Sequence, residues 1–309
     1  MFDSLYPGMS RADHQSQPAL WPHAQYSRFV QAGGIQWHVQ IMGQGPCLLL
    51  LHGTGSGHFS WRGLMPALAA HFTVLAPDLP GHVFTSRGPE GALSLSGMSE
   101  GLRALLLQLQ LTPQVIVGHS AGAAIAAHMA LHFDSVAHST LIGLNPAWLP
   151  LPGVASWVFG PAAKLAALNP LSAWATAKMA AKPGAVADGL ARTGSTLDAQ
   201  GLELYTRVLS HSGHVHGVLS MMAAWQLKPL AARLHEIRNP VCMLIGAQDQ
   251  TVPPALAEAA HARLPQARMQ VQTGLGHLAH EQDPQGTAQQ ILAWCTENER
   301  ARMKVPNSS

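Results

Sequence analysis

Gly118-His119-Ser120-Ala121-Gly122 sets a hydroxyl between two glycines. It follows the apolar run 115–117 and opens an alanine-rich stretch of helical spacing, 121–131. So abrupt a turn from strand to helix requires small neighbours, which Gly118 and Gly122 supply, and it lifts the hydroxyl above the strand end. A serine hydroxyl is a weak nucleophile until a base takes its proton and an acid holds that base. Two later loops offer the pair in the order acid, then base. Asp249 follows the run 241–245 in Gly246-Ala247-Gln248-Asp249, and His277 follows the run 269–271 in Gly274-Leu275-Gly276-His277. Acyl transfer also needs donors for the oxyanion. The backbone N–H groups of Thr54, in His52-Gly53-Thr54-Gly55, and of Ala121, at a helix start, are the expected pair.

Each choice has a plainer competitor. The chain has 18 histidines, so no single one is informative by itself. His277 stands out by its glycine-rich loop, and His280 reads as its neighbour or as a surface residue. Asp249 could instead cap the helix expected from Pro254. Asp78 also ends a strand-like run and reads as a turn residue. Asn145 stands at the other strand end where an acid could serve, but an amide cannot fill that role, which favours Asp249. His52 reads as a loop brace. His211, His214 and His216 have tempting metal spacing but no nearby Cys or carboxylate, and read as solvated histidines. No metal or cofactor is expected. Trp148, Trp157, Met221 and Met222 are candidate substrate contacts, with Trp174 and Trp225 as further wall residues. Helix packing explains these side chains at least as well.

The positioning elements alternate. Ser27–Ala32 and Ile35–Met42 flank Gly33-Gly34 as a hairpin. Cys47–Leu51, 73–76, 115–117, Thr140–Leu144, 241–245 and 269–271 read as buried strands. Helical stretches at 61–70, 98–109, 121–131, 254–264 and 285–296 separate them. This is an α/β pattern with a mostly parallel sheet flanked by helices. Between about 145 and 227 strand-like runs vanish and Ala, Trp and Met take helical spacing, so a helical lid is expected there. The organisation is then a loose arm at 1–22, a core at 23–144 and 228–300, and the lid at 145–227.

Composition narrows the function classes. A formal net charge of +2 with scattered Lys and Arg gives no field for a phosphate backbone, so nucleic acid is not an expected partner. Charged residues make up 11% of the chain, against roughly 25% in average soluble proteins. Residues 135–163 carry no Lys, Arg, Asp or Glu, but Asn145, Pro146, Pro150, Pro152, Gly153 and Pro161 interrupt them. Such a segment cannot satisfy its own backbone in lipid, so a span is not expected, although part of it could touch a membrane surface or a greasy ligand. The start Met-Phe-Asp-Ser has no basic, then apolar, leader. Cys47, Cys242 and Cys295 form no close set and read as reduced structural thiols of a cytoplasmic protein, peripheral to a membrane at most.

With these residues in place, the chain from about Tyr26 to Cys295 resembles the α/β-hydrolase superfamily. It is more specifically similar to the BchO family, accessory to magnesium chelatase in bacteriochlorophyll biosynthesis. The finer likeness rests on the stretch from Arg28 to Gln40, Ala76-Pro77-Asp78-Leu79-Pro80-Gly81-His82, and Arg192-Thr193-Gly194-Ser195-Thr196-Leu197-Asp198. Gly274-Leu275-Gly276-His277-Leu278-Ala279-His280-Glu281 adds to it. Val83 departs from the glycine usual in that family, which puts the local loop shape in doubt. The resemblance implies an α/β-hydrolase fold, a hydrophobic substrate such as a tetrapyrrole, and magnesium-chelatase subunits as partners. Two other expectations stay open: a non-catalytic tetrapyrrole-binding accessory protein, and an esterase, lactonase or C–C hydrolase unrelated to pigment.

Overall fold

The computed structural model describes residues 8–150, 169–264 and 266–304. The strands are β1 (Ser27–Ala32), β2 (Ile35–Met42), β3 (Cys47–Leu51), β4 (Thr73–Pro77), β5 (Pro113–His119), β6 (Thr140–Leu144), β7 (Val241–Gly246) and β8 (Arg268–Gln272). They form one sheet in the order β1-β2-β4-β3-β5-β6-β7-β8. The pairings β1–β2 and β2–β4 are antiparallel, and all others are parallel.

Period-two alternation divides the buried strands between two cores. Leu49, Leu51, Ile116, Met243 and Ile245 join the cluster on one face, and Leu48, Leu50, Val117, Cys242 and Leu244 join the cluster on the other. The first face is covered by α3 (Leu95–Leu109) and α4 (Ala121–His132), the second by α2 (Met65–Ala69) and a long C-terminal helix, Pro284–Lys304. Each fully buried leucine contributes roughly 1.5–3 kcal/mol. All three cysteines are buried.

Residues 61–70 are more broken than their spacing predicts. His58–Trp61 is a 3₁₀ turn, and the α-helix begins only at Met65 with Pro66 in its first turn. The arm expected to be loose is packed from α1 (Arg11–Ser16) onward: Ser10 caps that helix, and His14 and Trp21 are buried. These two rings sit with Phe84 and Phe29, an apolar cluster that the polar composition of the arm conceals.

Between β6 and β7 the described segment is helical: α5 (Pro170–Ala180), α6 (Ala185–Ala191), α7 (Ala199–Leu209), α8 (Ser212–Ala224) and α9 (Lys228–Arg233). Trp157 lies outside the described residues.

Candidate active site

The registers Leu51–Gly118, His119–Leu144, Leu144–Leu244 and Gly246–Gln272 align the carboxyl ends of β3, β5, β6, β7 and β8. Their following loops therefore emerge side by side, where open parallel sheets bind ligands.

Ser120 is the one residue between β5 and α4 and has φ 50° and ψ −113°. For a non-glycine residue this is strained backbone. It is held by the Ser120 N–H donating to the Leu144 carbonyl at 3.0 Å and by the Ala147 N–H donating to the Ser120 carbonyl at 3.1 Å. The flanking glycines answer to close packing. A Cβ on Gly118 would lie 2.4 Å from the Ala123 nitrogen, and one on Gly122 would lie 2.0 Å from the Leu51 oxygen.

Asp249 Oδ2 accepts the His277 Nδ1–H at 2.7 Å, and Asp249 Oδ1 accepts the backbone N–H groups of Thr251 and Val252 at 2.7 and 2.8 Å. Asn145 Nδ2 donates to the same Oδ2 at 2.6 Å. The position where an alternative acid could stand thus supplies a donor to the acid next door. With Nδ1 engaged, His277 has Nε2 left for a proton from elsewhere. Ser120 and His277 line one cavity, but Ser120 Oγ makes no hydrogen bond to the imidazole or to any other described residue.

That cavity has a volume of about 350 Å³. Thr54 and Ala121 are on its wall, and neither backbone N–H has an acceptor among the described residues. Met222, Trp225, Leu190, Leu227, Val252 and Leu278 give it an apolar surface. Other expected substrate contacts fall elsewhere. Trp148 is buried in the core with its indole N–H donating to the Ala123 carbonyl at 2.8 Å, and Met221 is fully buried behind Thr54. Trp174 is exposed. Their helical spacing does not reveal which face meets the cavity.

The loop carrying Thr54 is stapled by neutral histidines. His52 Nε2 accepts the Leu79 N–H at 2.9 Å and its Nδ1–H reaches the Gly53 carbonyl at 2.8 Å. His82 Nε2 accepts the Gly55 N–H at 3.2 Å. His214 Nδ1 accepts the Val83 N–H at 3.0 Å while its Nε2–H donates to the Gly55 carbonyl at 3.2 Å. Burial pushes His52 down to about 3 and His82 to about 4, and His214 well below the usual range. The reading of His214 and His216 as solvated is therefore corrected: both are buried, and His216 meets Arg87 at 2.9 Å. Val83 takes φ 43°, a left-handed backbone that glycine adopts far more readily than valine.

Asp78 does more than fix a turn. It accepts His38 Nδ1–H at 2.8 Å, His58 Nδ1–H at 2.9 Å and the His58 backbone N–H at 2.7 Å, all buried. Metal ligands at ~2.0–2.2 Å in a tetrahedron stand roughly 3.3–3.5 Å apart, so the closer spacing fits a proton-bridged cluster. Burial pushes the Asp78 carboxyl up, but His58 and His38 outweigh it and hold the group well below its usual range.

A second buried chain reaches the cavity and is invisible to motif reading. Tyr205 of α7 donates to Glu281 Oε1 at 2.8 Å and meets Ser56 Oγ at 2.9 Å, and Ser56 and Tyr205 are both on the cavity wall. Arg62 pairs with Glu281 and, at 2.8 Å, with Asp198, the cap of α7. Burial raises Glu281 to about 7, with Arg62 and Tyr205 opposing the rise. His280, beside it, is fully buried against Trp61 and His119 rather than on the surface. The turn Thr193-Gly194-Ser195 joins the lid to the two loops of interest. The Thr193 carbonyl accepts the N–H groups of both Gln250 and His277 at 3.2 Å, and Ser195 Oγ accepts that of Leu278 at 2.9 Å.

Comparisons with known proteins agree with this architecture. Residues 46–284 match the family described as alpha/beta hydrolase fold. The chain is 37% identical to the magnesium-chelatase 30 kDa subunit of Rhodobacter capsulatus over 91% of its own length and 99% of the relative's. It is 32% identical to the pimeloyl-[acyl-carrier protein] methyl ester esterase of Aromatoleum aromaticum, covering 77% of this chain and 94% of that one. A solved α/β-hydrolase-fold protein from Burkholderia ambifaria superposes with a TM-score of 0.71 at 22% identity, covering 87% of this chain and 97% of the other.

Proposed function

The chain belongs to the α/β-hydrolase fold family, and from that premise we propose that it is a serine hydrolase cleaving an ester, or related acyl bond, of a hydrophobic substrate. The observation that carries this reading is the Asp249–His277 hydrogen bond at the wall of the cavity that Ser120 enters from a strained turn. Ser120 Oγ attacks the acyl carbon as its proton passes to His277 Nε2. Asp249 retains the Nδ1–H and stabilises the imidazolium. The carbonyl oxygen, now an oxyanion, accepts from the N–H groups of Thr54 and Ala121. His277 returns its proton to the leaving oxygen, and water, deprotonated by the same imidazole, then releases the acid from Ser120.

The likeness to the magnesium-chelatase subunit supports a place in bacteriochlorophyll biosynthesis near magnesium insertion, with chelatase subunits as partners. A volume of about 350 Å³ is at the small end of the roughly 300–1,000 Å³ of ligand pockets. It suits an ester-bearing arm of a tetrapyrrole better than the whole macrocycle. One observation favours a second reading, in which the fold binds a tetrapyrrole or a chelatase subunit without catalysis: Ser120 Oγ lacks a hydrogen bond to His277. A fluorophosphonate probe separates the two. Under the hydrolase reading it labels the wild type at Ser120 and leaves Ser120→Ala unlabelled. An unlabelled wild type that still binds a tetrapyrrole supports the scaffold.

A further inference from the structure

Among the described residues, six large apolar side chains are exposed, and three of them, Leu171, Trp174 and Met179, stand on α5 at 67%, 52% and 64% exposure. At about 100° of turn per residue these three fall within an arc of roughly 140°. Ala173 and Ala177, on the opposite side, are buried with Val215, beside Leu219, on α8. The inner face of α5 is thus spent on the lid, and Leu171, Trp174 and Met179 on the outer face are exposed, without cover from the described residues. Lys178 lies in the outer arc and Lys182 follows just past the helix end, both exposed. No Asp or Glu occurs between Asp134 and Asp188, where Lys164, Lys178 and Lys182 are the only charged residues.

A short helix with Trp, Leu and Met outward, lysines alongside and no carboxylate offers apolar side chains to an acyl boundary and cations to anionic headgroups, the two attractions that hold a protein at a lipid surface. Lysine stems lie along apolar surface while their ammonium groups reach for anionic oxygens. A protein partner fits the area less well. Even at the ~150–250 Å² that a large aromatic buries, three side chains stay below the roughly 800 Å² per partner of a stable protein interface. We propose that the outer face of α5 seats the protein on an anionic lipid surface, with Leu171, Trp174 and Met179 in the headgroup boundary and Lys178 and Lys182 against lipid phosphates. α8, on which α5 rests, carries Met222 into the cavity wall, and Trp225 follows it. Docking here sets the roof of the candidate site against the phase in which hydrophobic substrates dissolve. The proposal does not depend on Ser120 being activated.

Cosedimentation of the full chain tests it. Vesicles of phosphatidylcholine with phosphatidylglycerol are compared with phosphatidylcholine alone, at low and high salt. Wild type is expected in the pellet with the anionic vesicles at low salt, and released by salt or by removal of the anionic lipid. Lys178→Gln and Lys182→Gln each weaken binding about fivefold. The pair Leu171→Ser with Trp174→Ser weakens it at least tenfold, with an unchanged melting temperature showing that the fold persists. The proposal is overturned if wild type stays in the supernatant with anionic vesicles, or if the serine pair pellets as well as wild type. Size-exclusion chromatography gives a further outcome: a wild-type dimer that Trp174→Ser makes monomeric, without vesicle binding, assigns the face to a second copy and also overturns it.

Discussion

Asn145 occupies the strand end where an acid could have stood, and from there it donates to the acid at the neighbouring strand end. A hydrogen bond to a charged group contributes about 1.5–3 kcal/mol. Asn145→Ala is therefore expected to lower ester hydrolysis roughly tenfold with little change in KM, because Thr251 and Val252 still hold the other carboxylate oxygen. Asn145→Asp tests the charge itself. Beside Asp249 Oδ2 it replaces a donor with a second carboxylate, so it should lower activity more than Asn145→Ala does; a smaller loss would mean that Asn145 has no part in positioning the acid. Ser120, Asp249 and His277 were legible because each follows a strand-like run in a glycine-marked loop, a signal contained in a few adjacent residues. The donor role of Asn145 was not, since it depends on a partner 104 residues away.

At the level of elements, strands and core helices could be read from period and punctuation, whereas contacts between loops could not. The histidines around the Thr54 loop show why. In sequence a buried brace and a solvated imidazole look alike, and only packing makes His52, His82 and His214 neutral acceptors of backbone N–H groups. That neutrality has a pH signature. His82 titrates near 6.5 when unfolded and at about 4 when folded, so the unfolded chain takes up protons first. Its contribution is whole above pH 6.5 and is lost as pH falls from 6.5 through 4. At pH 5 the loss is about 2 kcal/mol from His82 alone. Urea midpoints measured from pH 8 to pH 4 should be level at first and then fall, and the fall should be shallower in His82→Gln. An identical slope in that variant would assign the acid sensitivity to other groups.

For the molecule as a whole, the lid is tied to the core by charge as well as by apolar contact. Arg62 of the core holds Glu281, next to the base loop, and Asp198, which caps α7 of the lid. Removing one member of a buried pair costs about 3–5 kcal/mol, because the remaining charge stays desolvated. Arg62→Ala should lose that much in chemical denaturation. Tyr205→Phe loses the bonds to Glu281 and Ser56 but leaves the ion pair in place, and should lose only about 2 kcal/mol. Equal losses would mean that Glu281 is not the keystone of the chain. The partners are 219 and 76 residues apart, which is why no motif announces them.

The turn at Thr193-Gly194-Ser195 limits how the cover can move against the core. A Cβ on Gly194 would sit 1.9 Å from the Gln248 oxygen, and one on Gly276 would sit 2.1 Å from the Gly194 oxygen, so the three backbones abut without slack. Swinging the whole cover about that point would drag the imidazole away from its carboxylate. Any widening of the cavity is therefore expected in the described helices farther out along the cover, with this corner staying shut like a hinge pin while the door flexes.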